Sequence, residues 1–560
     1  MRITVRSAAL LLLVAVPLAA QSRLPVRGKH AMVASVDVIA SRIGADVMKR
    51  GGNAVDAAVA VAFSLAVTWP EAGNLGGGGF MLVRTADGKS VAIDYREVAP
   101  AAATRNMYLD AEGKVTKDST LGYRASGVPG TVAGLALVHK RYGKLPWRTL
   151  VEPARKLAAD GFVVSEYLAR SFKATEAQRM KQFPESWRIY GDRKMGDRLV
   201  QPELAAVLAR IANDPSDFYR GVTAKRIVQA MKEHGGIITA EDLASYKPAV
   251  RTPLHGTYRG YEIVSMPPPS SGGIALIEML NMLEPYDLKS MGWHSSEHVH
   301  TMVEVMRRAY ADRAQFLGDP DFARVPVTAL ISKPYAAKRR ADIDPAKATK
   351  VEAGDPTPYE SPSTTHFSVA DKDGMLVSNT YTLNDSFGSA VTISGFLMND
   401  EMDDFASRPG TPNLYGLVQG EANAIQPRKR PLSSMTPTFV LKDGKPFLVA
   451  GSPGGGTIIN TVLQVIVNIV DFGMNAQQAV DAPRFHHQWL PDEIGWEAFE
   501  FPRDTWDALV KMGHTFHAIP GLVSSKIPGS IGDAECIAFD ANGDRLGASD
   551  GRRGGTAVGW

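Results

Sequence analysis

The chain has 560 residues, with 62 basic and 59 acidic side chains giving a formal net charge of +3. Hydrophobic residues make up 44% and charged residues 22%, which excludes a disordered chain and supplies a large core. The near balance of charge gives no electrostatic argument for nucleic acid, and the single cysteine, Cys536, excludes an intramolecular disulfide and a cysteine-based zinc site.

The first twenty residues read as a secretory leader. Arg2 and Arg6 precede an apolar stretch from Ala8 to Leu18, and Leu18-Ala19-Ala20 offers small residues for cleavage before Gln21. This predicts a periplasmic or secreted protein with no membrane span once the leader is removed. Ile39, Ile43 and Val47 repeat at helical spacing, Gly51-Gly52 ends that helix, and Asn53 is placed to cap a second one running towards Thr68. The stretch from Val55 to Trp69 carries Asp56 and is too short to span a membrane, so it reads as a buried helix. Pro70 and Gly76 to Gly79 force a loop, and a hairpin follows: Phe80 to Thr85, turn Asp87-Gly88, then Ser90 to Arg96. Ser296 to Phe316 reads as a helix with Val299, Val303, Met306 and Tyr310 on one face.

Thr357 to Ser363 reads as an exposed linker, and after it the pattern changes to hairpins. Thr365 to Ala370 pairs with Met375 to Leu383, Pro437 to Leu441 with Pro446 to Ala450, and Ala534 to Phe539 with Arg545 to Ala548. A helix from Ile458 to about Val470 follows Gly454-Gly455-Gly456. Arg428-Lys429-Arg430, lying between prolines, reads as a solvated loop, and Cys536 as a buried core thiol. Helices and antiparallel strands in such quantity favour a layered α+β fold over a doubly wound parallel sheet.

Thr364-Thr365-His366 stands where the linker meets a strand. On residue type alone, two threonines there express strand propensity. A threonine hydroxyl becomes a useful nucleophile when a base is adjacent, and the α-amine of a chain-initial threonine is one such base. That amine has a reference pKa of about 7.7–8.0, against about 10.4 for lysine. The chemistry therefore needs the chain cut between Ser363 and Thr364.

Several strings resemble the γ-glutamyltransferase family of N-terminal nucleophile hydrolases, in that family's order and over nearly the whole mature chain. They are Asn74 to Phe80, Asp94-Tyr95-Arg96-Glu97, Thr364 to Ser368, Tyr381 to Asn384, Met402 to Phe405, Pro431 to Met435, Gly451 to Gly455 and Ala482 to Gln488. The resemblance implies a four-layer αββα sandwich built jointly by a large subunit, 21–363, and a small catalytic subunit, 364–560. It implies that Thr364 cleaves its own bond to Ser363 and then attacks a γ-glutamyl donor such as glutathione. Water, an amino acid or a dipeptide resolves the acyl-enzyme. Thr382 would tune the nucleophile, and Gly454 and Gly455 would form the oxyanion hole. Arg96, with Ser433 and Ser434, would bind the donor's α-carboxylate, while Asn384, Glu401 and Asp404 would receive its α-ammonium. Pro409 to Tyr415 resembles the lid of bacterial members, with Tyr415 shielding the site. No cofactor and no metal are implied.

Two other classes compete. His294-Ser295-Ser296-Glu297-His298 fits the H-x-x-E-H pattern of a zinc peptidase, although Ser296 as helix cap would leave His294 outside the helix. A non-catalytic periplasmic amino-acid-binding protein would use the same charged clamp, but needs neither nucleophile nor oxyanion hole. The glycine loops lack the Lys-Ser/Thr pair of a phosphate cradle, and the run Gly76 to Gly79 reads as close backbone packing near the site.

Overall fold

Asp37 and Asn53 set the first two helices. The Asp37 side chain accepts a hydrogen bond from the Ala40 amide at 2.9 Å, opening α1 (Val38–Lys49). Asn53 and Asp56 form a reciprocal capping box at the start of α2 (Ala54–Thr68). Every residue of α2 is buried, as the apolar stretch predicts. The computed structural model of the chain describes residues 23–354, 365–418, 420–497, 501–518 and 530–560. The expected leader at 1–20, the linker Thr357 to Ser363 and Thr364 lie outside the described residues.

Fourteen strands make two seven-stranded sheets. They are β1 (Val26–Gly28), β2 (Met32–Ser35), β3 (Gly78–Arg84), β4 (Ser90–Asp94), β5 (Ala249–Arg251), β6 (Leu254–Tyr258) and β7 (Tyr261–Ser265), followed by β8 (Thr365–Ala370), β9 (Leu376–Thr382), β10 (Thr438–Lys442), β11 (Lys445–Ala450), β12 (Glu535–Phe539), β13 (Arg545–Ser549) and β14 (Thr556–Gly559). One sheet has the order β1-β13-β12-β11-β10-β7-β6, the other β14-β2-β8-β9-β3-β4-β5. All pairings within them are antiparallel. Strands from before and after the linker therefore interleave in both sheets.

Strand alternation produces the layers. In β3, Met81 and Val83 face the cluster that holds α1 and α2, while Phe80 and Leu82 face the opposite sheet. Phe80, Leu82 and Met32 meet Val264, Phe439, Val449 and Ile537 between the sheets. Beyond the other sheet pack α3 (Gly272–Leu283), α4 (Ser296–Phe316) and α5 (Thr457–Val470). Three apolar layers separate four structural ones, the αββα sandwich. Cys536 is buried in the core, as expected.

Two expectations are corrected. Arg428 is exposed, but Lys429 and Arg430 are buried, so the basic run is not a solvated loop. Lys429 donates to the carbonyls of Ala422 and Ala424, and burial lowers its pKa to about 8. The cap of α4 is Ser295, whose hydroxyl accepts from the His298 amide at 3.1 Å, rather than Ser296. Among the described residues, no helix is long and apolar enough to cross a membrane.

Candidate active site

The site grows from the ends of β8, β9 and β3. Thr365 opens β8 opposite Tyr381, and Thr382 closes β9 opposite Gly78. The neighbouring glycines allow backbone to meet backbone: a Cβ on Gly77 would lie 1.9 Å from the Thr382 carbonyl, and one on Gly76 2.2 Å from that of Leu397. Asn74 ties this corner together. Its Nδ2 donates to the Thr382 carbonyl at 2.7 Å, and its Oδ1 accepts from the Gly77 amide at 3.0 Å and the Thr131 hydroxyl at 2.6 Å. The Thr382 hydroxyl accepts the Asn384 amide at 2.8 Å, helping to hold Asn384 at φ 80.

Asn384, Tyr415, Gly454 and Gly455 line one cleft of about 200 Å³, with Glu71 and Arg553 among its other walls. Gly454 and Gly455 have φ of 133 and 61, a backbone that L side chains rarely adopt. Their turn leads into α5, with the Thr457 amide donating to the Gly454 carbonyl at 3.1 Å. The Tyr415 ring lies over Gly455: a Cβ there would sit 3.3 Å from the ring. Tyr415 is held by its amide to Asn413 Oδ1 at 3.0 Å and its carbonyl to Gln488 Nε2 at 3.1 Å.

The charged residues gather beside this region. Arg96 is fully buried, and its two terminal nitrogens donate to Glu401 and Asp404. Its remaining hydrogen bonds go to the carbonyls of Pro431 at 3.1 Å and Leu432 at 2.9 Å. The cation and the anions expected on opposite sides of a clamp thus touch each other. Ser433 Oγ accepts the Met435 amide at 3.2 Å, while Ser434 Oγ accepts from Arg313. Arg313 also donates to Ser271 Oγ at 3.1 Å.

Three carboxyls surround this one guanidinium, because Glu97 lies 3.5 Å from Arg96. Burial pushes Glu401 and Asp404 well above the carboxylate range, opposed by Arg96, and raises Glu97 to about 7. Glu401 Oε2, Asp404 Oδ1 and Asn384 Oδ1 are buried and accept no hydrogen bond among the described residues. Next to the strand start, burial drives His366 down to about 3, so its ring is neutral, bonded to the Thr380 and Ser368 hydroxyls.

Residue-type reasoning assigned no role to Asn74, Glu97, Arg313 or Arg553. Asn74 and Glu97 stand inside quoted strings, whereas Arg313 is one of several buried charges on α4, with Glu304, Arg307, Arg308 and Asp312, and no pattern singles it out.

The zinc pattern does not assemble. The His294 amide donates to His298 Nδ1 at 3.1 Å, Glu297 is exposed, and both histidines are buried. Another group, His300, Glu304 and His514, does come together. Glu304 is already taken by Arg307 at 2.5 Å and Arg308 at 2.6 Å, and His300 bonds His514 at 2.8 Å.

Two antiparallel sheets between helical layers, with a glycine-walled cleft just past the end of β9, define the fold of the N-terminal nucleophile hydrolases. The sequence matches the family model described as gamma-glutamyltranspeptidase over residues 40–560. The glutathione hydrolase proenzyme of Escherichia coli K12 is 50% identical over 539 residues, covering 94% of this chain and 91% of the relative. A cephalosporin acylase structure from Bacillus halodurans superposes with a TM-score of 0.86 at 28% identity, covering 99% of both chains. The γ-glutamyltranspeptidase structure of Helicobacter pylori is 44% identical with a TM-score of 0.56, covering 60% of this chain and 97% of that one. The chain belongs to the γ-glutamyltranspeptidase family.

Proposed function

We propose that the protein is exported as a proenzyme, cuts itself between Ser363 and Thr364, and works as a γ-glutamyltransferase and glutathione hydrolase. The Thr364 hydroxyl attacks the Ser363 carbonyl and converts that amide to an ester. Water hydrolyses the ester, leaving residues 21–363 as large subunit and 364–560 as small subunit. The freed α-amine of Thr364 then takes the proton from its own hydroxyl. The hydroxyl attacks the γ-carbonyl, the Gly454 and Gly455 amides receive the developing oxyanion, and the leaving amine departs with the proton. Water or the amine of an amino acid or dipeptide releases the γ-glutamyl group.

Recognition of the donor rests on its zwitterion. The observation that carries this reading is the set of three orphaned acceptors on Asn384, Glu401 and Asp404. An ammonium has three N–H donors and no acceptor, so it matches three buried oxygens that lack partners. The α-carboxylate goes to Arg96, assisted by Ser433 and Ser434, displacing the Glu401 and Asp404 carboxylates from its terminal nitrogens as the α-ammonium takes those carboxylates over. Its fork offers the bidentate geometry that an amine would not. Tyr415 closes over Gly455 as the lid, and Thr382, whose hydroxyl holds the Asn384 amide, tunes the nucleophile. Thr364→Ala tests the reading: it should remain a single chain with no γ-glutamyl turnover, while Thr364→Ser retains some of both. Full activity in Thr364→Ala would overturn it.

A further inference from the structure

The donor's α-ammonium and α-carboxylate hang on one carbon, so their spacing is fixed. A site that grips both must hold its own two halves at a matching distance. Those halves come from separate stretches of chain: the short turn Glu401–Asp404 on the ammonium side, and Arg96 with the loop Pro431 to Ser434 on the carboxylate side. Arg96 links them, donating to Glu401 and Asp404 and to the carbonyls of Pro431 and Leu432. That link opens when the donor enters, because the two carboxylates leave the guanidinium for the ammonium.

A second link runs through Asn423, fully buried at the end of the short turn Glu421–Asn423. Its Nδ2 donates to the Asp404 carbonyl at 2.5 Å, and its Oδ1 accepts from the Leu432 amide at 3.2 Å. One planar side chain thus ties the backbone of an ammonium residue to the backbone that leads into Ser433 and Ser434. Both bonds are to main-chain atoms, so they persist while the charged side chains exchange partners. The turn itself is fastened on both sides. The Asn423 carbonyl accepts the Ala406 amide at 2.9 Å, and Lys429 donates to the carbonyls of Ala422 and Ala424, which flank Asn423. Lys429 is completely buried. Burying an ammonium is costly unless it is hydrogen-bonded, so these two carbonyls fix Lys429 and Lys429 fixes the turn.

We propose that Asn423 is a positioning residue that sets the width of the donor clamp, with Lys429 holding Asn423 in register. Together they make the enzyme selective for donors that carry ammonium and carboxylate on the same carbon. The proposal rests on the reading of Arg96, Glu401 and Asp404 as donor-binding residues.

The test uses the mature enzyme and three anilides: γ-glutamyl, glutaryl, which lacks the ammonium, and 4-aminobutyryl, which lacks the α-carboxylate. Asn423→Ala should raise KM for the γ-glutamyl anilide about 10-fold, the scale of one or two neutral hydrogen bonds, with kcat nearly unchanged. The other two anilides should change little, because a donor with one charged group does not sense the distance between two sites. The preference for the γ-glutamyl anilide therefore shrinks by the same factor. Lys429→Met should shift that preference in the same direction by less. Equal losses on all three anilides would mean a general structural role and overturn the proposal, as would an unchanged preference or a loss confined to kcat. If Asn423→Ala fails to fold, Lys429→Met decides by the same criteria. The underlying reading fails separately: a wild type with no preference among the three anilides has no such clamp, whereas failure of Asn423 leaves the wild-type preference intact.

Discussion

Gly76 to Gly79 and Gly454 to Gly456 differ in what stands where their side chains would be. Around the first run it is backbone: the carbonyls of Leu397, Thr382, Tyr95 and Thr380 lie 1.9–2.5 Å from the four ideal Cβ positions. Around Gly455 it is the ring of Tyr415, at 3.3 Å, and an open cleft. The first run lets β3 and the loop before it pack against the end of β9, so its glycines are a condition of folding. In the second, Gly454 and Gly455 hold positive φ beside the cleft, and under the proposed function their amides receive the oxyanion, which makes these glycines a condition of chemistry. Glycine is required twice within one site, once for the absence of a Cβ and once for the dihedral.

The contrast is sharpest under alanine substitution. Gly77→Ala should give no folded protein, because a methyl 1.9 Å from a carbonyl oxygen cannot be relieved by a side-chain rotation. Circular dichroism and soluble yield check this, and a folded, active variant would erase the distinction. Gly455→Ala should fold, with strain of about 1–2 kcal/mol from the left-handed backbone. Its kcat should fall about 10²-fold, the scale of a lost oxyanion donor, with KM nearly unchanged. Combining it with Tyr415→Ala separates two causes. If the ring is what displaces the loop, the double variant loses less than the two single variants together.

A third glycine shows its effect only in the pH dependence of stability. A Cβ on Gly451 would lie 2.3 Å from the His366 ring, so this imidazole is enclosed and stays neutral. Its pKa is about 3 when folded, against 6.5 for the free group. The unfolded chain therefore binds the extra proton between those values. The contribution is present above pH 6.5 and is lost as pH falls towards 3, at about 1.4 kcal/mol per pH unit for one proton. Denaturant titrations between pH 7 and 4 should show a shallower slope for His366→Gln than for the wild type. Identical slopes would mean that His366 titrates normally.

Much of the frame could be read from local signals. Asp87-Gly88 and Asn542-Gly543 mark their hairpins, Asn53 and Asp56 mark a helix start, and the turns formed where those residue types require them. The β6–β7 hairpin was not legible, because its turn is Arg259-Gly260. Both residues have positive φ, and arginine stands where Asn or Asp would signal it. Lys429 misled for a related reason: the carbonyls that bury it come from the fold of residues 422–424, which composition does not reveal. Within the site, Arg96 and Glu401 meet across 305 positions and Arg313 reaches Ser434 across 121, distances at which only family strings or the fold itself can speak.

The central claim is that the enzyme makes its own catalytic amine. N-terminal sequencing of the mature protein after denaturing electrophoresis tests it directly. Two chains should appear, the smaller beginning Thr364-Thr365-His366-Phe367. A single intact chain with full γ-glutamyl activity would contradict it.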